Sequence, residues 1–107
     1  MCPESIQAME GAVGTICEAV DSVLSSQDNP TRAFVVVRPP GHHCGEDTPE
    51  GFCFVNNVAI AAAHGLPFFD FLYSSLTFPL AHLKHGIKKV VIFDIDLHHG
   101  KPISSFQ

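Results

Sequence analysis

This sequence predicts an α/β fold built on a parallel sheet, and three features predict it. Two apolar, β-branched runs, Ala33 to Val37 and Val90 to Phe93, read as buried strands. A 3.6-residue apolar rhythm near the N-terminus reads as a helix packed on one face. An alanine-rich stretch, Val58 to Ala63, places a further helix between the two strands. That order, helix–strand–loop–helix–strand, suits a right-handed crossover joining parallel strands.

The first helix follows from Ile6, Met9, Val13, Ile16, Val20 and Val23, which recur at spacings of three and four from Glu4 to Ser25. Pro3 suits the first turn, where no intrahelical N–H bond is lost. Gly11 and Gly14 weaken the helix without breaking its periodicity. Ser25 to Arg32, with Asp28-Asn29-Pro30, is a loop. Ala33 to Val37 is nearly all apolar, as in a parallel sheet covered on both faces. Arg38 to Gly51 is a polar loop with three prolines and three glycines. Phe52 to His64 reads as helical around its alanines, and Ala81 to His85 continues that helix until Gly86 ends it. The strand Lys89 to Asp94 completes the pattern.

The chain has 107 residues, enough for one small domain, and 46% are hydrophobic, so a core is possible and global disorder is not expected. A net charge of −5 argues against direct nucleic-acid binding, which needs basic patches. Cys2, Cys17, Cys44 and Cys53 form no CxxC pair, so reduced thiols in an intracellular protein are expected. No signal peptide is evident in Met1 to Ser5. The apolar stretch from Val58 to Leu83 is broken by His64, Pro67, Asp70, Pro79 and His82, which argues against a membrane span.

The chemistry is concentrated at the ends of the two strands. Asp94-Ile95-Asp96-Leu97-His98-His99-Gly100 puts two carboxylates and two imidazoles directly after an apolar run. Alternate side chains of an extended chain share a face, so Asp94, Asp96 and His98 align on one side. These donors suit zinc or another first-row divalent ion. A second pair, His42-His43, follows the other strand. In open α/β sheets, ligands bind beyond the carboxyl ends of the strands.

Arg38-Pro39-Pro40-Gly41-His42-His43, Gly51-Phe52-Cys53-Phe54-Val55-Asn56-Asn57-Val58-Ala59-Ile60-Ala61 and Asp94-Ile95-Asp96-Leu97-His98-His99-Gly100 together closely resemble the histone deacetylase family, with a class II-like flavour. The resemblance covers most of Ser5 to His64 and Ala81 to Gly100. It implies the arginase–deacetylase-like three-layer α/β fold and zinc-dependent hydrolysis of acetyl-lysine amides in histones or other proteins. It implies Asp96 and His98 as two of three zinc ligands, and His42 and His43 as the tandem histidines that activate the attacking water. Asp94 would orient the first histidine and join a structural potassium site. Gly51 and Phe52 would wall the acetyl-lysine tunnel. Histones, a corepressor complex, chromatin regulation and a nuclear or cytoplasmic location follow from the resemblance alone.

The chain also departs from the family. The third zinc ligand and the oxyanion-stabilising tyrosine would lie beyond residue 107, so a partial domain, inactive alone, is expected. Residues 65–80 are rich in Phe and Leu, carry Pro67 and Pro79, and interrupt family-like helical text. Residues 101–107 replace the Asn-Gly or Asp-Gly of the family pattern. Both read as intron text retained in translation; a genuine loop insertion is the alternative. If translated, Phe68, Phe69, Phe71, Leu72 and Phe78 would make an exposed apolar patch.

Other residues have plainer readings. His99 is expected to pack rather than ligate, and His64, His82 and His85 to lie at helix surfaces or caps. Cys53 reads as site wall or small buried hydrophobe, and Asp47 and Glu50 as solvated loop residues or contacts for a cationic substrate. Two further functions stay open: deacetylation of a small acetylated amine such as an acetylpolyamine, and a non-catalytic chain that at most binds partners.

Overall fold

The computed structural model describes residues 2–26, 32–65, 87 and 89–101. Among them two helices form, α1 (Pro3–Ser25) and α2 (Asn57–Gly65). Pro3 opens α1 and Glu4 places negative charge in its first turn, as the sequence predicts. Met9, Val13, Ile16, Val20 and Val23 are half-buried and Ala12 is buried, whereas Ile6 is exposed. The difference at Ile6 follows from length. At 1.5 Å per residue α1 is about 35 Å long and α2 only about 14 Å. α2 meets α1 near its C-terminal end, with Gly65 beside Leu24 and the His64 Nε2 atom 2.8 Å from Asp21 Oδ1. His64 is therefore a half-buried link between the helices rather than a surface or cap residue.

α2 begins later than Phe52. Glu50 and Cys53 exchange backbone hydrogen bonds of 3.1 and 2.8 Å, and Gly51 and Phe52 both take positive φ angles, 56° and 64°. This tight turn cannot be helical. Asn56 then caps α2: its Oδ1 accepts the Ala59 N–H at 3.0 Å, satisfying a donor that has no partner inside the helix.

The two expected strands are extended segments, and no ladder is assigned among the described residues. Their side chains alternate with a period of two. In the first segment Val35 and Val37 are half-buried while Phe34 and Val36 are 94% and 82% exposed. In the second, Ile92 is half-buried while Val91, Phe93, Ile95 and Leu97 are 77–94% exposed. The parallel pairing and two-sided burial expected for Ala33–Val37 and Lys89–Asp94 are thus not seen. Burial on both faces needs a layer on each, and the described residues supply a layer on one. The inner side chains, with α1 and α2, line an open cavity of about 1260 Å³.

The expected helical continuation at Ala81–His85, its stop at Gly86, the patch from Phe68 to Phe78 and the tail beyond Lys101 lie outside the described residues. Among those described, no helix is long and apolar enough to cross a membrane.

Candidate metal and acid–base site

The acidic motif shapes itself through local side-chain hydrogen bonds. Asp94 Oδ1 accepts the Asp96 N–H at 3.0 Å, and Asp96 Oδ1 accepts the His98 N–H at 2.8 Å. Each carboxylate bonds the backbone two residues on, an arrangement that short acidic side chains favour at chain bends. Asp94, Asp96 and His98 line the cavity, as alternation predicts.

The distant histidine pair meets this segment directly. His42 Nδ1 lies 2.8 Å from Asp94 Oδ2, a contact across 52 residues of chain. The hydrogen bond from His42, and then the Asp96 N–H, hold the Asp94 carboxyl below the usual carboxylate range. The His98 N–H, and then its ring, do the same for Asp96. The His43 ring sits 4.1 Å from that of His42 and 6.2 Å from that of His98, centroid to centroid, and so lies between the two carboxylate–imidazole pairs.

The loop before α2 is held by the start of that helix. Asn57 Nδ2 donates to Pro39 O at 3.1 Å, and Asn56 Nδ2 donates to Cys44 O at 3.3 Å, so two asparagines bracket His42 and His43. The Cys44 thiol donates to Phe54 O at 3.1 Å. Burial, and then nearby Cys53, push the Cys44 thiol pKa up, which suits a packed thiol rather than a nucleophile. Gly41 is required here by space: a Cβ would lie 2.5 Å from Asn57 N and 2.9 Å from Val55 O.

Gly51 approaches the His43 ring, where a Cβ would come within 2.4 Å of Cδ2. Phe52 beside it is an apolar ring, 88% exposed, and neither Gly51 nor Phe52 lines the cavity. Cys53 is 1% exposed and bonds Gly51 O, so it is a buried turn residue. Glu50 pairs with Lys101 Nζ at 3.0 Å, a long-range contact, and Asp47 accepts a local bond from Thr48. His99 is exposed at the cavity wall.

Among the described residues, no group of three or more His, Cys, Asp or Glu side chains could hold a metal ion. Asp96 and His98 nonetheless fit as a ligand pair. Asp96 Oδ1 and His98 Nδ1 are 3.0 Å apart. Two donors bound at about 2.0 Å to a tetrahedral zinc would be separated by about 3.3 Å. Three residues that shape the site were not singled out from the sequence: Asn56, Asn57 and Lys101. An asparagine just before an alanine-rich helix is a capping signal and could have marked Asn56. Nothing in the sequence signals the long-range bonds of the other two.

Comparison with known proteins matches residues 1–106 to the histone deacetylase domain family. The chain is 39% identical over 100 residues to histone deacetylase HOS3 of Saccharomyces cerevisiae, covering 91% of this chain and 12% of that protein. It is 42% identical over 102 residues to type-2 histone deacetylase 2 of Dictyostelium discoideum, covering 90% of this chain and 5% of that protein. It is 36% identical over 101 residues to the human polyamine deacetylase HDAC10, covering 94% of this chain and 12% of that protein. The chain thus spans a small part of the length of these relatives. No solved structure matches it. A family match over nearly the whole chain, with the tandem histidines and the Asp94–His98 motif inside it, means that this chain belongs to the histone deacetylase family.

Proposed function

We propose that this chain supplies the acid–base histidines and two metal ligands of a zinc-dependent protein-lysine deacetylase, on an arginase–deacetylase-like three-layer α/β fold with a parallel sheet. The observation that carries the reading is the meeting of two carboxylate–imidazole pairs around His43: His42–Asp94 at 2.8 Å and His98–Asp96 at 3.0 Å. The three-layer fold is supported by the second extended segment, whose Val91, Phe93, Ile95 and Leu97 need a further layer to bury them.

Each residue has a task. Asp94 accepts the His42 Nδ1–H, which leaves Nε2 as a lone-pair base able to take a proton from water. His43, against the His42 ring, is the second of the pair and passes or holds that proton as charge develops. Asp96 and His98 would hold zinc, with a third ligand and the oxyanion tyrosine supplied from beyond residue 107. Bound zinc would supply Lewis-acid polarisation of the amide carbonyl and a lowered water pKa. Asp94 would also join a potassium site. Phe52 and Gly51 would wall a tunnel around the apolar stem of acetyl-lysine.

The substrates are acetylated lysines in histones or other proteins, with corepressor assemblies as partners in a nuclear or cytoplasmic setting. Residues 65–80 and 101–107 are read as retained intron text, which sequencing of transcripts across codons 64–81 and past codon 100 decides. The test of function is hydrolysis of an acetyl-lysine peptide by the full-length protein, with Asp96→Asn as comparison. Activity should fall by at least about 100-fold, and hydrolysis that persists unchanged in that variant overturns the ligand role. Similarity to the human polyamine deacetylase supports a second reading, hydrolysis of acetylpolyamines. Competition between the two substrate types separates them. A full-length protein that neither hydrolyses either substrate nor binds zinc would be the non-catalytic binding chain.

A further inference from the structure

We infer that the Gly100–Lys101 step is a backbone latch that positions the His42 imidazole, an inference that deepens the function proposed above and rests on that reading. A Cβ on Gly100 would lie 2.9 Å from Asp94 Oδ2, 2.9 Å from His42 O and 3.0 Å from His42 Nδ1. Two of these atoms are the ends of the 2.8 Å His42–Asp94 hydrogen bond. Any larger residue would press a carbon against the bond itself, inside the roughly 3.5 Å at which such contacts cease to be attractive. Gly100 is absent from the positive-φ residues. Its backbone conformation therefore does not demand glycine, whereas the space does.

The neighbouring residue closes the same joint. The Lys101 N–H donates to His42 O at 2.8 Å, so the chain leaving the acidic motif grips His42 by its main chain while Asp94 grips it by its ring. The Lys101 ammonium reaches Glu50 at 3.0 Å, next to the Gly51 that covers His43. Both charged partners are solvent-exposed, so this ion pair contributes little. The main-chain bond carries the latch, and any residue but proline after Gly100 can donate it, whether or not 101–107 is retained intron text. Gly100 and Lys101 are thus positioning residues: they act on the proton-transferring group through its orientation, where a shift of about 1 Å can cost about 100-fold in rate.

The test compares Gly100→Ala with Gly45→Ala in the full-length zinc-loaded protein with lysine kept after Gly100. Gly45 lies in the loop that carries His42, and a Cβ there meets Thr48 at an ordinary 3.8 Å. Three readouts are taken: kcat and KM on an acetyl-lysine peptide, the NMR signal of the His42 ring N–H, and hydrogen exchange of the wild-type Lys101 amide. Gly100→Ala should lower kcat about 10–100-fold with KM unchanged, and move the His42 signal upfield as its bond to Asp94 weakens. Gly45→Ala should match wild type in both, and the Lys101 amide should be protected. The latch is overturned if Gly100→Ala keeps the wild-type kcat and ring signal, or if the loss resides in KM alone. Should that variant not fold, the wild-type Lys101 amide decides, because exchange at the unstructured rate overturns the latch. If the wild-type protein has no deacetylase activity, the proposed function falls, while the ring signal and the amide still test the latch.

Discussion

Asn56 is the residue on which the fold and the site both depend, and its two contacts can be separated by two substitutions. It is 5% exposed. Its Oδ1 caps α2 by accepting the Ala59 N–H, and its Nδ2 donates to Cys44 O, just past the tandem histidines. Asn56→Ala removes both. Loss of a cap costs about 0.5–2 kcal/mol. A buried carbonyl left without its donor costs about 1–3 kcal/mol. Asn56→Ala should therefore destabilise by about 1.5–5 kcal/mol. Asn56→Ser retains a capping oxygen but gives up the amide donor to Cys44 O, so it should lose only the Cys44 contribution, about 1–3 kcal/mol. Urea unfolding of the full-length protein, followed by helical circular dichroism, measures both. The reasoning is refuted if Asn56→Ala costs under about 0.5 kcal/mol, the ordinary scatter of surface changes. It is equally refuted if Asn56→Ser is the more damaging variant, because the cap would then contribute nothing.

Two further predictions follow from the ionisable groups. The Asp94 carboxyl is held low chiefly by His42, so its ionised form stabilises the fold fully above the unfolded aspartate pKa of about 3.9 and loses that effect as pH falls through the folded value. An NMR titration should place the Asp94 midpoint below the free-aspartate value, and His42→Ala should return it part of the way, since the Asp96 N–H remains; a wild-type midpoint at or above that of free aspartate contradicts the pairing. Of the cysteines, Cys2 is exposed while Cys44 and Cys53 are buried, so iodoacetamide at neutral pH should label Cys2 first and Cys44 far more slowly; equal rates for the two would show that Cys44 is not packed as described.

The residues proposed to carry chemistry stand out in the sequence because their signals are local. His42-His43 and the spacing of Asp94, Asp96 and His98 are written in single short stretches, and period-two alternation alone puts the last three on one side. α1 was legible for the same reason, since an apolar repeat over 23 residues has one helical solution. The start of α2 was missed because the apolar text Phe52 to Val55 runs on toward its alanines, and only the consecutive positive φ angles at Gly51 and Phe52 show why the chain turns there first. Expected strand pairing at Ala33–Val37 and Lys89–Asp94 depends on partners far away in sequence, which periodicity cannot supply.

The His42–Asp94 contact raises a question of cause, because it joins residues 52 apart without a ladder among the described residues to align them. The hydrogen bonds answer it. Pro39 O and Cys44 O are held by Asn57 and Asn56, His42 O by the Lys101 N–H, and the His42 ring by Asp94. Every one of these is a side-chain or single main-chain bond to the loop that carries His42, and Gly41 within it and Gly100 facing it leave room where a Cβ would come within 3 Å of a neighbouring atom. Such a loop is fixed by specific bonds rather than by apolar area, so its geometry is sensitive to single substitutions while its sequence remains polar and flexible in appearance. That is why the motif stands out in the sequence, whereas the long-range contacts of Asn57, Gly100 and Lys101 around His42 emerge only once the chain is folded.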